Sequence, residues 1–324
     1  MMMNSNNVID FSVVVPVFNS EAALEELYDR LDKVFLMLEK TYEIIFINDG
    51  SRDRSYSVLR ELYKKHPEKI IVVDLAKNFG QHNATMCGFN ICTGSYVITI
   101  DDDLQNPPEE IVKLYRKISE GYDAVFGIPL IKEHDKYKNL GSYFLRRMNH
   151  RIFGIKNDLK FSSFRIIKKE IVDELKEIKT PFPYIPGMLM NITRSIANEN
   201  VNHELRKSGK SNYNMRRLVR LAFNLLINYS TIPLKFIGTI GLVISVLSFL
   251  IGAFYAVKKI FEGTAPEGWT TIVVLISFYN AVVLIMVFFI GLYISRMLRE
   301  VSRERQYSIR TILKNNINQT PVHY

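Results

Sequence analysis

Cysteine is nearly absent from this chain. Its 324 residues include only Cys87 and Cys92, which have no metal-ligand spacing and read as two small apolar side chains in the reduced state. Glycine-rich phosphate loops are missing as well. Neither Gly-x-x-x-x-Gly-Lys nor Gly-x-Gly-x-x-Gly occurs, which disfavours ATPase and NAD(P)-dependent chemistry. The polar stretch Met1–Asp10 has no signal-peptide core, so export of the large domain is not expected. Charge, finally, is missing from two long runs, Phe236–Val257 and Trp269–Ser295. Each is long enough to cross a hydrocarbon core of about 30 Å at roughly 1.5 Å per residue.

Charge of one sign is in excess elsewhere. The net +9 gathers between about residue 130 and the first apolar run, and again after the second. Arg216, Arg217, Arg220 and Lys235 precede the first run, and Arg296, Arg299, Arg303, Arg305 and Arg310 follow the second. The connection between them sets Lys258 and Lys259 against Glu262 and Glu267. The positive-inside rule then places both ends in the cytoplasm, in a cell membrane crossed twice. No nucleic-acid-binding motif accompanies the basic residues, so nucleic acid is not an expected partner.

The first 130 residues alternate between the two structural periods. Ser12–Val17, Glu43–Asn48, Ile70–Leu75, Tyr96–Ile100 and Ala124–Gly127 read as strands, the first of them buried on both faces. Glu21–Glu39, Ser55–Lys65, Gln81–Ile91 and Pro108–Gly121 read as helices between them. This alternation predicts an α/β fold with a mostly parallel sheet covered on both faces. Beyond residue 130 the pattern loosens, and Phe161–Ile167 is a candidate to return to the sheet. Met215–Asn228 sets Leu218, Leu221, Leu225 and Leu226 against Arg216, Arg217 and Arg220, which suits a helix lying on a bilayer surface. The expected organisation is a cytoplasmic domain over 1–213, an interface helix over 214–231, a two-span hairpin over 232–298 and a basic tail over 299–324.

Ligands of an open parallel sheet bind outside the carboxyl ends of its strands. Four polar clusters fall there: Pro16, Phe18 and Asn19; Asn48-Asp49-Gly50-Ser51; Lys77-Asn78-Phe79-Gly80; and Asp101-Asp102-Asp103-Leu104-Gln105. Three adjacent carboxylates repel one another unless solvated or neutralised by a cation. On an extended segment Asp101 and Asp103 point the same way, Gln105 adds a third oxygen, and Asp102 faces away. Such oxygen donors suit Mg²⁺ or Mn²⁺ bridged to a nucleotide diphosphate. Asp49 is placed to accept a nucleobase N–H, whereas His82 reads as a locally bonded histidine.

These clusters resemble the family-two inverting glycosyltransferases, and the strings NFGQHNATMCGF (78–89) and DDDLQNPPEE (101–110) are similar to the polyprenyl-phosphate branch. The bactoprenol glucosyltransferases, dolichyl-phosphate mannose synthase and the undecaprenyl-phosphate formamido-arabinose transferases belong to that branch. The segments SFR (163–165) and RKSGKSNY (206–213) also match its pattern. The resemblance implies a GT-A-type domain with two membrane spans. It implies a nucleotide-sugar donor at Pro16, Phe18, Asn19, Asp49, Lys77, Asp101, Asp102 and Asp103. The metal, Mg²⁺ or Mn²⁺, falls to Asp101, Asp103 and Gln105. Asp101, Asp103, Arg165 and Arg206 form the implied catalytic set. Lys138, Arg147, Arg206 and Ser211 are the candidates for the phosphate of a polyprenyl-phosphate acceptor. Relatives also imply a homo-oligomer. Departures are visible: Asn48 stands where aspartate is usual, Ser20 where glutamate is common, Asn212 where lysine is typical, and Leu130 and Glu133 where arginines often occur.

A phosphate-monoester nucleophile is largely ionised at pH 7, by analogy with protein phosphomonoesters, so it needs positioning rather than a strong base. The absence of the Gln-x-x-Arg-Trp string of processive polysaccharide synthases agrees with this, since their acceptors are neutral hydroxyls. Two other readings stand beside it: elongation of a glycan at a sugar hydroxyl, and a non-catalytic membrane scaffold.

Overall fold

Alternate residues of the first strand feed opposite faces of a sheet. Val13 and Val15 enter one apolar core with Ile44, Phe46 and Ile98, while Val14 enters a second with Ile45, Ile47 and Val97. Both cores are fully buried at these positions, at roughly 1.5–3 kcal/mol of transfer free energy per large side chain. The computed structural model describes residues 9–130, 159–204, 268–301 and 306–315, with isolated helical positions between 238 and 261. The expected interface helix at 214–231 lies outside the described residues, as do most of the first apolar run and the candidates Lys138, Arg147, Arg206 and Ser211.

Eight strands form one mixed sheet. They are β1 (Phe11–Val17), β2 (Tyr42–Asn48), β3 (Ile70–Leu75), β4 (Tyr96–Thr99), β5 (Ala124–Pro129), β6 (Arg165–Lys168), β7 (Ile196–Val201) and β8 (Ile309–Leu313), in the order β7-β5-β6-β4-β1-β2-β3-β8. Pairing is parallel among β4, β1, β2 and β3 and between β5 and β7. β6 runs antiparallel to both β4 and β5, and β8 antiparallel to β3. The α/β, mostly parallel expectation therefore holds.

Helices cover both faces. On one side lie α1 (Leu24–Leu38), α2 (Ser55–Lys65) and α4 (Ile111–Ile118), the last entered through a 3₁₀ turn at Pro108–Glu110. On the other lie α3 (Gln81–Ile91), α5 (Lys169–Glu177) and α6 (Ile185–Ile192). Gly88 lets α3 approach the sheet closely, because a Cβ there would lie 2.2 Å from Val14 Cγ1. Cys87 and Cys92 are buried and unbridged in this layer, and burial pushes their thiols up to about 12 and about 11.

The candidate segment Phe161–Ile167 does return to the sheet, as a strand that starts at Arg165. Two expectations need correction. The acidic segment after β4 is a turn, not an extended run, and Leu104 adopts φ 60 within it. Residues 299–324, expected as a separate basic tail, supply β8 to the open edge of β3. Its anchors are Arg310 Nη1, which donates to Asp74 at 3.2 Å, and Gln306 Nε2, which donates to the Thr180 carbonyl at 2.7 Å.

The chain divides into two compact units, Met1–Ser211 with Arg305–Tyr324, and Asn212–Glu304. In the second unit α7 (Trp269–Val301) contains one stretch, Phe278–Ser295, long and apolar enough to cross a membrane. None of its described residues is buried by protein, and Phe278, Val283, Ile285, Phe288 and Ile294 present apolar surface outward.

Candidate active site

The parallel strands β1, β2 and β4 end at one edge, and the residues just past them line a cavity of about 390 Å³. Pro16 and Phe18 come from β1, Asp49 from β2, Asn78, Gly80 and Gln81 from the β3–α3 turn, and Asp101, Asp102 and Asp103 from β4. Phe18 is 45% exposed, unusual for a phenylalanine and suited to a planar ligand laid on its face. Asn19 does not reach this lining. It adopts φ 55, its backbone N–H donates to Ser51, and its Oδ1 accepts from the Arg52 N–H at 2.8 Å, so it ties the β1 and β2 loops together.

Asp49 is buried, with both oxygens engaged. One accepts the Phe79 N–H at 2.7 Å and the other the Gly80 N–H at 2.9 Å, which fixes the β3–α3 turn against β2. Burial raises its carboxyl pKa and the two backbone bonds pull it back. Gly50 follows at φ 65, where an added Cβ would lie 2.6 Å from Asn78 N and from the Lys77 carbonyl carbon. Only glycine fits that approach. Lys77 turns away and packs its ammonium over the Phe79 ring at 5.2 Å, outside the lining.

The departure at position 48 has a structural partner. Asn48 Nδ2 donates to Asp74 at 2.6 Å, and Arg310 holds the other Asp74 oxygen. A carboxylate only accepts hydrogen bonds, so the neighbour of buried Asp74 must donate.

Each of the three aspartates has its own setting. Asp101 accepts from Gln81 Nε2 at 2.6 Å and from the Ser163 hydroxyl. Burial pushes its carboxyl above the usual range, Ser163 opposes this, and the nearby Asp103 charge adds to it. Asp102, expected to face away, accepts the Phe18 N–H at 3.0 Å and still lines the cavity; burial pushes its carboxyl up to about 6. Asp103 accepts the Gln105 N–H at 3.1 Å. Gln105 itself is absent from the lining, and its carbonyl accepts from the Glu204 N–H.

Among the described residues no three His, Cys, Asp or Glu side chains gather as a complete metal-ligand set. Asp101 and Asp103 line one cavity, and the Asp103 charge adds to the rise of the Asp101 pKa. That donor set fits a hard divalent ion held by one or two carboxylates and completed by phosphate oxygens and water. It does not form an all-protein cage.

A second cavity of about 280 Å³ adjoins the first through Gln81. His82, Phe161, Ser162, Ser163, Arg165 and Tyr184 contribute to its walls. Arg165 is 2% exposed, donates from Nε to Thr99 Oγ1 at 3.0 Å, and lies over the Phe126 ring at 5.8 Å. Burial lowers its pKa to about 10, and the Asp101 charge works against that. Burial, with the Arg165 charge second, lowers His82 to about 4. Sequence reasoning gave no site role to Gln81, Ser163 or Tyr184, and its reading of His82 as a locally bonded histidine meets a ring whose Nδ1 is buried without a hydrogen-bond partner among the described residues. Position was the available signal for Gln81 and His82, since both open α3 just beyond β3 at the ligand edge of the sheet.

The profile of the family described as "Glycosyl transferase family 2" matches residues 12–176. The uncharacterized glycosyltransferase YkcC of Bacillus subtilis is 30% identical over 304 residues, covering 93% of each chain. The undecaprenyl-phosphate 4-deoxy-4-formamido-L-arabinose transferase of Shewanella sediminis is 32% identical over 314 residues, covering 96% of this chain and 95% of the relative. Among solved structures, glucosyl-3-phosphoglycerate synthase of M. tuberculosis superposes with a TM-score of 0.49 at 17% identity, over 68% of this chain and 78% of that one.

Proposed function

The chain belongs to glycosyl transferase family 2 and is a glycosyltransferase; from that premise we propose that it moves one sugar from a nucleotide-sugar, UDP-linked, to undecaprenyl or another polyprenyl phosphate, with inversion at the anomeric carbon. One observation carries the donor half of this reading. A single crevice at the carboxyl edge of parallel strands collects an exposed aromatic ring and three consecutive carboxylates. The acceptor half draws support from a nearly full-length relative whose name specifies undecaprenyl phosphate.

The chain's own residues have separable tasks. Phe18 offers a face to the nucleobase, and the Asp49-braced turn forms the opposite wall. Asp101 and Asp103 would hold a divalent ion on the diphosphate, Mg²⁺ or Mn²⁺. When bound, that ion supplies charge neutralisation for the departing diphosphate. Gln81 and Ser163 fix the Asp101 carboxylate from two directions, so its orientation is set before substrate arrives. The acceptor phosphate is ionised at neutral pH and serves as nucleophile without a strong general base. Lys138, Arg147, Arg206 and Ser211 are proposed to receive it.

Chain connectivity supports two membrane spans. The chain leaves the sheet after β7 and returns at Gln306 to supply β8, so any membrane in between is crossed an even number of times. A single span through α7 would strand β8 on the far side. The charge-free run Phe236–Val257 is the proposed partner span, with the catalytic domain and both ends in the cytoplasm. Association into a homo-oligomer is part of the proposal.

The test is incubation of detergent-solubilised protein with undecaprenyl phosphate, Mg²⁺ or Mn²⁺, and a panel of UDP- and GDP-sugars. The lipid phase is read by mass spectrometry, with Asp103→Ala as control. A single lipid-phosphate-sugar that needs metal and vanishes in the variant is the expected result. Nucleotide release with no lipid product would move the acceptor to a hydroxyl.

A further inference from the structure

The second cavity has no assigned occupant, yet two features of its wall call for one. His82 Nδ1 and Arg165 Nη1 are buried with no hydrogen-bond partner among the described residues. A buried polar group left unsatisfied is destabilising, so a native wall holding two of them is built for a ligand or for ordered solvent. Both side chains line the cavity.

Resting on the glycosyl-transfer reading above, we propose that this cavity seats the transferred sugar and that His82 and Arg165 read its hydroxyl or amide substituents. Position argues for it first. Asp101 stands between the two cavities, tied on one side to Gln81 and on the other to Ser163, so the space past it lies beyond the diphosphate end of a nucleotide. Chemistry argues for it second. A hydroxyl or amide can accept from the guanidinium and donate to, or accept from, a neutral imidazole. The rest of the wall is amphipathic: Phe161 and Tyr184 present rings, Tyr184 edge-on to His82 at 5.6 Å, and Ser162 and Ser163 present hydroxyls. Charge argues for it third. Arg165 is the one cation among the described residues lining this cavity, and it already faces Asp101. Among those residues a dianionic acceptor phosphate would find a single, partly committed countercharge.

The experiment separates sugar from nucleotide and from acceptor. Full-length protein in detergent, wild type and His82→Gln, is titrated calorimetrically with UDP alone and with the UDP-sugar that the wild type prefers. Donor and undecaprenyl-phosphate KM are then measured for both. Tyr184→Phe serves as a second variant that removes one wall hydroxyl without emptying the cavity. The expected result is UDP affinity within twofold of wild type, UDP-sugar affinity weakened about tenfold, an altered ranking of donor sugars, and an unchanged acceptor KM. A change confined to the acceptor KM would overturn the proposal and give the cavity to the lipid phosphate. So would unchanged parameters in both variants, or a wild type that binds UDP-sugar no more tightly than UDP. The binding comparison needs no turnover. A failure of the polyprenyl-phosphate reading therefore shows separately, as sugar-dependent binding without lipid product.

Discussion

Replacing Asn48 by aspartate restores the residue usual at this position in resembling sequences, and here it should damage the protein. Asn48 is 2% exposed and donates to Asp74, itself 3% exposed, at 2.6 Å. In Asn48→Asp the donor becomes a second carboxylate. Two charges about 4 Å apart at an effective dielectric of about 20 repel by roughly 4 kcal/mol. Arg310 is already on Asp74 but its side chain is 63% exposed, so it returns on the order of 1 kcal/mol. The alternative is to protonate one carboxyl, which at pH 7 costs roughly 4 kcal/mol from an ordinary pKa of about 3.9 and regains a hydrogen bond. The net loss should be about 3 kcal/mol, or roughly 6–12 °C in the melting temperature of a domain of this size. The raised carboxyl binds its proton more readily folded than unfolded, so the deficit should shrink as pH falls from 8 toward 5. Adding Asp74→Asn returns a donor to the pair and should restore most of the stability. The assay is thermal unfolding of the solubilised protein at several pH values. An Asn48→Asp variant that melts with wild type, or one that Asp74→Asn does not rescue, refutes the reasoning.

Three further outcomes can be checked. Gly50→Ala combines a left-handed backbone with a Cβ 2.6 Å from the main chain of residues 77 and 78, so it should cost more than about 2 kcal/mol and weaken nucleotide binding, read by melting and calorimetry. His82 is held neutral in the fold, with its pKa lowered to about 4. The unfolded chain takes that proton first, so stability should fall as pH drops from about 6.5 to 4, by up to about 1.4 kcal/mol per unit, and His82→Gln should flatten that slope. Ile285→Lys puts a charge near the middle of the outward-facing apolar stretch of α7, at roughly 3 kcal/mol for insertion, and should shift protein from the alkali-resistant membrane fraction to the soluble one.

Most of the sheet was legible because its signal is local. Val13, Val14 and Val15 need no distant partner to announce a strand buried on both faces, and the polar residues after β1, β2 and β4 announce the ligand edge by position alone. What escaped was non-local or short. Ile196–Val201 reads IANENV, half polar, and becomes β7 only because β5 offers it a parallel edge. Ile309–Leu313 sits among basic residues and becomes β8 because β3 would otherwise be an exposed edge. The acidic turn was misread as extended because nothing local marks Leu104, a buried leucine, for a left-handed φ.

The residue at 48 shows how such a distant element reaches the site. Seen in sequence, Asn48 is an unexplained departure in a nucleotide-binding string. In the fold, Asp74 lies beside it at the end of β3, and β8 arrives from 236 positions further on to set Arg310 against Asp74. Arg310 Nη2 also donates to the Ala76 carbonyl at 2.9 Å, one residue before the segment whose backbone meets Gly50 and is followed by the turn braced by Asp49. The returning strand therefore supports the wall of the first cavity through Asp74 and Ala76. Substitution at 48 has to be judged against that support, since a carboxylate there would repel Asp74 instead of donating to it. A strand supplied from the far end of the sequence thus helps set which side chain is permitted at the carboxyl edge of β2.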